Sequence, residues 1–128
     1  MVQSAIEMER HMARLPKLKA HFFHSDAGNE PVREWLRTLS ASDRKAIGDD
    51  IRTLQFGWPV GMPLTRPLGH GLHEVRSNLE GNRIARVIFA VEHDTVILLH
   101  GFIKKSQKMP KTDIDLARDR LKRLRASR

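Results

Sequence analysis

The chain contains no cysteine and no long apolar run. The absence of cysteine excludes a disulfide framework, a thiolate metal site and a cysteine nucleophile. No apolar run approaches the roughly 18 residues needed to span a bilayer, and the polar N-terminus lacks the apolar core of a secretory signal. These absences predict a soluble, cytoplasmic protein.

Metal, phosphate and nucleophile motifs are missing as well. His70 and His73 are three residues apart, but no carboxylate is spaced to complete a ligand set with them. There is no P-loop and no Gly-x-Ser-x-Gly, and the Gly-His-Gly sequence at 69–71 precedes a strand rather than a helix. We therefore expect no metal and no other cofactor.

The positive charge is concentrated at one end of the chain. The 128 residues include 23 Lys and Arg against 15 Asp and Glu, which gives a net charge of +8. Residues 1–100 hold 13 basic and 12 acidic side chains, whereas residues 101–128 hold 10 basic and 3 acidic ones. Such a block favours an anionic partner, and no strong amphipathic anchor accompanies it, so we expect no membrane partner.

The length is enough for one compact domain. We assign residues 1–16 to an N-terminal extension, residues 17–125 to a single domain and residues 126–128 to a basic tail.

The first half of the domain is predicted to contain one strand and two helices. The strand covers 18–24, and Asn29 can cap a helix that begins at Glu30-Pro31-Val32. A second helix begins after Ser42 and ends at the Gly-Trp-Pro of 57–59, and residues 57–71, rich in Gly and Pro, are predicted to form a loop.

The second half is predicted to contain three strands and a last helix. The strands cover Leu72–Leu79, Arg83–Glu92 and 95–103, with a hairpin between the first two. Thr112 or Asp113 opens the final helix. The predicted order is therefore β-α-α-β-β-β-α, an α+β fold in which a helical hairpin and a C-terminal helix pack on a small antiparallel sheet.

Two arginines lie inside predicted strands. Arg76 is in the second strand and Arg86 in the third, where Arg86 shares a face with Ile84 and Ile88. A guanidinium is costly in such a place unless it is paired or binds an anion. Pairing with Glu74 and binding an anion both remain open.

A lysine cluster follows the most apolar strand, and together with the strand arginines it could form a concave positive surface suited to a sugar-phosphate backbone. Its members are Lys104, Lys105, Lys108 and Lys111. His70, His73 and His100 lie near the same elements and are candidate acids or bases.

Several of these segments resemble the RelE/ParE toxin superfamily. Residues 67–76 are similar to its Gly-x-Leu-x-Glu-x-Arg strand, and the Arg-Val-Ile-Phe of 86–89 resembles the next strand, which begins with Arg. Residues 98–110 resemble the Leu-His-x-Phe-x-Lys-Lys-x-x-Lys-x-Pro segment of the phage-derived HigB-like branch, as do 29–32 followed by Trp35-Leu36. The similarity extends over about 17–124.

This resemblance implies the toxin of a type II toxin–antitoxin pair, neutralised by a cognate antitoxin that is often a helix-turn-helix protein. It implies a metal-independent endoribonuclease that cleaves mRNA on the ribosome, in which the 2′-hydroxyl attacks the adjacent phosphate. Arg86 and Lys105 match basic residues of that active site, and Arg76 matches a nearby strand arginine. Lys104, Lys108, Lys111 and His70 are then expected to bind RNA.

The sequence departs from RelE at two catalytic positions. It has no Tyr, and Glu74 stands where RelE has a catalytic Lys. The acid–base roles are therefore open, with His73 and His100 as candidates. Two alternatives to the nuclease also stay open: a non-enzymatic toxin that inhibits DNA gyrase or another target, and a non-toxic basic binding module.

Overall fold

The computed structural model describes residues 15–104 and 108–127, which form a five-stranded sheet and three helices. The elements are β1 (Lys19–Phe22), α1 (Pro31–Arg37), α2 (Ala41–Gly57), β2 (Thr65–Gly69), β3 (Leu72–Leu79), β4 (Arg83–Glu92), β5 (Thr95–Lys104) and α3 (Lys111–Ala126). The strand order is β1-β5-β4-β3-β2. Strands β2 to β5 form an antiparallel meander, and β1 pairs in parallel with β5. The fold is thus mixed α+β.

The sequence prediction of a loop over 57–71 was wrong, because β2 lies within it. Its Pro67 and Gly69 are typical of turns, but β2 is an edge strand and pairs only with β3. An edge strand tolerates Pro because one side of its backbone makes no ladder hydrogen bonds. The predicted order therefore lacked one strand.

The helix starts differ slightly from those predicted. Helix α2 begins at Ala41, because the Ser40 hydroxyl accepts a hydrogen bond from the Asp43 amide at 3.1 Å and so caps it. Helix α1 follows Glu30 without a side-chain cap. Asn29 is therefore not its cap.

Each face of the sheet packs against its own helical layer. Helices α1 and α2 cover one face, where the core includes Val32, Ile47, Leu54, Val87 and Phe89. Helix α3 covers the other, where the core includes Ile88, Ala90, Leu99, Ala117 and Leu121. The apolar run of 96–99 is buried and alternates between the two layers, so this strand is covered on both faces.

Trp35 and Trp58 both pack against the α1–α2 layer. The Trp35 ring lies directly over Gly101 of β5, where a methyl group would overlap three ring carbons. Glycine is therefore required there so that α1 can approach the sheet closely.

Helix α3 runs from His100 of β5 to Glu92 at the end of β4. Its first turn contacts His100 through Asp113, and its last turn contacts Glu92 through Arg125. On this face of the sheet Phe102 packs against the α3 layer, and the Arg86 side chain is fully buried. In the part of the chain that the structure describes, no helix has both the length and the apolar character needed to cross a membrane.

Candidate anion-binding site

Two arginines face each other across the central strands, on the α3 side of the sheet. Arg76 of β3 and Arg86 of β4 are direct antiparallel partners. The Arg86 side chain is fully buried, while that of Arg76 is 19% exposed. Two like charges in directly opposed positions destabilise a sheet unless other groups compensate.

The compensating group is the buried carboxylate of Glu74. Arg66 of β2 donates two hydrogen bonds to Glu74 Oε1, at 3.1 Å from Nε and 3.0 Å from an Nη. Arg86 Nε lies 3.7 Å from Oε2, and Arg76 Nε lies 4.0 Å from Oε1. Three guanidinium groups thus surround one carboxylate, which leaves an excess of positive charge. We call these four residues the arginine cluster.

The Arg86 guanidinium has hydrogen-bond donors that no described residue uses. None of its three guanidinium nitrogens makes a hydrogen bond to a described residue, and Glu74 Oε2 makes none either. Burial lowers the pKa of Arg86, and the charge of Glu74 opposes that effect. A guanidinium cannot be deprotonated in a protein, so Arg86 presents unused charged donors in a place where each is costly.

The end of β5 places three more polar or aromatic groups on this face. Phe102 is the β5 partner of Arg86, and the His100 ring stacks on it at 5.5 Å between centroids. His100 Nε2 lies 2.6 Å from Asp113 Oδ1. Lys104 Nζ is 3.7 Å from Asp113 Oδ2 and lies 5.5 Å from the centre of the Phe102 ring.

The structure therefore brings together four of the residues predicted from the sequence: Arg76, Arg86, His100 and Lys104. They share one face of adjacent strands, next to the first turn of α3. Lys111 begins that helix and is exposed, and Lys108 just before it is exposed too. Lys105, a predicted catalytic residue, lies outside the described residues.

The structure places His73 away from this group. Its ring is on the α1–α2 side of the sheet, stacked on Phe89 at 5.5 Å and edge-on to Trp58 at 5.1 Å. Burial lowers the pKa of His73. This is the environment of a neutral core histidine, and it does not bring His73 to the arginine cluster.

His70 lies in the tight turn between β2 and β3, with a left-handed φ of 55°. It is exposed. The neighbouring Gly71 is close to Arg125 in the last turn of α3, so His70 lies at the opposite end of that helix from Asp113. His70 is therefore apart from the other predicted residues.

Sequence reasoning missed two members of the site. Arg66 was placed in a loop, because the Pro and Gly beside it hid β2. Asp113 was considered only as a helix-opening residue, and its contact with His100 spans 13 residues, which no local spacing predicts. Across 15–104 and 108–127, no group of three or more potential metal ligands comes together.

A comparison with known protein families places most of the chain in one family. A family model described as "Phage derived protein Gp49-like (DUF891)" matches residues 34–122. That range covers most of the chain and includes the whole arginine cluster as well as His100 and Asp113. A search of curated proteins found no match.

Proposed function

The chain belongs to the Gp49-like phage-derived family, a RelE/HigB-like toxin family of toxin–antitoxin systems, and from this premise we propose that it cleaves mRNA on the ribosome. In this proposal it is a metal-independent endoribonuclease of a type II pair, and its cognate antitoxin is a helix-turn-helix protein. The arginine cluster would bind the phosphate at which the strand is cut.

The buried guanidinium of Arg86, whose three nitrogens make no hydrogen bond to any described residue, is the observation that supports this proposal. Catalysis of phosphate transesterification depends on donors that are held in place before charge develops on the phosphate oxygens. Arg86 is held by the sheet and has Arg76 opposite it. The net charge of the cluster remains positive after Glu74 is counted, so an anionic phosphate is attracted to it.

The surrounding lysines fit the rest of the RNA backbone. Lys104 lies beside the cluster, and Lys108 and Lys111 are exposed near the start of α3. We propose that these three bind neighbouring phosphates, with Lys105 acting at the scissile phosphate and His70 contacting more distant RNA. Phosphate contacts of this kind predict that affinity for RNA falls steeply as salt is raised.

Induced expression with primer extension on cellular transcripts tests the function. We expect growth arrest and new 5′ ends within mRNA for the wild-type chain. Arg86→Met should remove both effects, whereas the same substitution at Arg44, which is exposed on α2, should leave them unchanged. Folding of each variant is checked by circular dichroism of the purified protein.

The other two interpretations predict different results in this experiment. Growth arrest with intact transcripts and relaxed plasmid DNA would overturn the nuclease and favour a gyrase inhibitor. Normal growth of cells that contain the folded wild-type chain would overturn toxicity and favour a basic binding module.

A further inference from the structure

His100 and Asp113 form a close polar pair where β5 passes the first turn of α3. The 2.6 Å distance between His100 Nε2 and Asp113 Oδ1 is short for a charge-assisted hydrogen bond, and both side chains are only 16% exposed. Asp113 is the third residue of a 16-residue helix. The partial positive charge at a helix N-terminus stabilises an ionised carboxylate there.

The pairing determines which nitrogen of His100 can act on a substrate. An ionised carboxylate only accepts hydrogen bonds, so Asp113 holds the proton on Nε2. In the neutral ring, the lone pair is then on Nδ1. A histidine oriented in this way is a proton acceptor at Nδ1, which is the arrangement used when a carboxylate positions a general base.

The pair is adjacent to the arginine cluster on the same face of the sheet. His100 is opposite Ile88 in β4, and the next position on that face of β5, Phe102, is opposite Arg86. His100 and Arg86 are therefore diagonal neighbours across β5 and β4, a relation that corresponds to about 7–8 Å, and a ribose with its phosphate can bridge that distance. The charged groups around His100 on this face are Asp113 and Lys104, followed by the arginine cluster.

We propose that His100 is the general base of RNA cleavage and that Asp113 is the residue that positions it. This proposal rests on the proposed function. His100 Nδ1 takes the proton of the 2′-hydroxyl, a bond forms between the 2′-oxygen and phosphorus, and the bond from phosphorus to the 5′-oxygen breaks. The leaving 5′-oxygen takes a proton from water, and His100 returns its proton to solvent. The products are a 2′,3′-cyclic phosphate and a 5′-hydroxyl.

The competing interpretation is structural, because the same contact ties α3 to β5. A purely structural role would change stability and the amount of folded protein. It would leave the shape of the pH–rate profile unchanged. The profile of the folded protein therefore separates the two roles.

The test is single-turnover cleavage of an end-labelled mRNA on purified ribosomes between pH 5.5 and 8.5. His100→Gln should lower the rate at pH 7 at least 100-fold and remove the inflection that reports the base. Asp113→Asn should lower the rate at pH 7 about tenfold and change the shape of the pH–rate profile, because an amide can also donate a hydrogen bond and so no longer holds the proton on His100 Nε2. Asp113→Glu should restore the wild-type profile. Asp115→Asn, an exposed change of the same kind in α3, should behave as the wild type.

The outcomes distinguish this proposal from the function on which it rests. If the wild-type chain leaves ribosome-bound mRNA intact, the nuclease itself is refuted. If the wild type cleaves and folded His100→Gln keeps its rate within threefold and its profile, the general base is refuted while the nuclease stands. If folded Asp113→Asn keeps the wild-type profile, the positioning role of Asp113 is refuted.

Discussion

Replacing Glu74 by Leu removes the counter-charge of the fully buried Arg86 guanidinium. The Glu74 and Arg86 side chains are both fully buried, and Arg86 makes no hydrogen bond to a described residue that would compensate. Arg66 and Arg76 are 36% and 19% exposed, so they can turn toward solvent when Glu74 is lost. The loss in free energy of unfolding caused by Glu74→Leu therefore comes mainly from Arg86, which stays buried without a counter-charge.

The geometry gives the size of that cost. At the 3.7 Å separation of Arg86 Nε and Glu74 Oε2, the Coulomb attraction is about 4 kcal/mol with an effective dielectric constant of about 20. Removing one partner of a buried ion pair costs about 3–5 kcal/mol. We therefore expect Glu74→Leu to lower the free energy of unfolding by about 3–5 kcal/mol, a large part of the total for a domain of this size.

Removing Arg86 instead of Glu74 should be less costly. Arg86→Met leaves Glu74 Oε1 with its two hydrogen bonds from Arg66 but removes the charge nearest to the buried Oε2, so we expect a loss of about 1–3 kcal/mol. Adding Arg86→Met to the Glu74→Leu variant should then restore most of the lost stability, because no unpaired buried charge remains. The double variant should be folded and should lack toxicity, which separates the fold from the function.

Urea unfolding followed by circular dichroism measures the free energy of unfolding of the wild type, the two single variants and the double variant. With a slope near 1.5 kcal/mol per M, the expected loss for Glu74→Leu lowers the unfolding midpoint by about 2–3 M. The expected coupling between Glu74 and Arg86 is refuted if the changes in the free energy of unfolding for the two substitutions add to that of the double variant within about 0.5 kcal/mol. A Glu74→Leu variant as stable as the wild type would refute it as well.

Two further predictions concern the fold around the site. Gly101→Ala should destabilise the domain by about 1–3 kcal/mol, because the new methyl group overlaps the Trp35 ring. Thermal unfolding of the variant and the wild type measures this loss of stability. Hydrogen bonds from Arg83 hold the pKa of Asp43 below its ordinary value of 3.8, so this contact stabilises the fold above that pH and is lost as the pH falls through the lowered pKa. Asp43→Asn should therefore be less stable than the wild type at pH 6. The difference between their urea midpoints should disappear toward pH 2. A difference that stays the same from pH 6 to pH 2 would contradict a stabilising role of the Asp43 charge.

The sequence predicted the central strands because their patterns are local. The bounds of β3 and β4 agree with the prediction, since the Glu-Gly-Asn turn between them and the apolar residues on each side define both. Strand β2 was missed because only its place at the sheet edge makes Pro67 acceptable, and sheet order is a tertiary property.

Strand periodicity predicted one part of the site, the pair of Arg86 and Glu74. Periodicity places Arg86 on an inward face and offers Glu74 as its partner, and the structure confirms that pair. Strand periodicity does not show that Arg66 donates hydrogen bonds to Oε1 of the same carboxylate, because that contact depends on β2, which was not predicted. His73 was grouped with the site by its nearness in sequence, yet successive strand residues face opposite sides of the sheet, so it lies in the other layer.

Cleavage of a defined mRNA by the purified chain, with and without ribosomes, tests the central claim most directly. We predict a single set of cuts that requires ribosomes, persists in excess chelator and ends in a 2′,3′-cyclic phosphate. The folded double variant Glu74→Leu with Arg86→Met should make no cut. Intact mRNA with the folded wild-type chain, or equal cleavage by the double variant, would contradict the account.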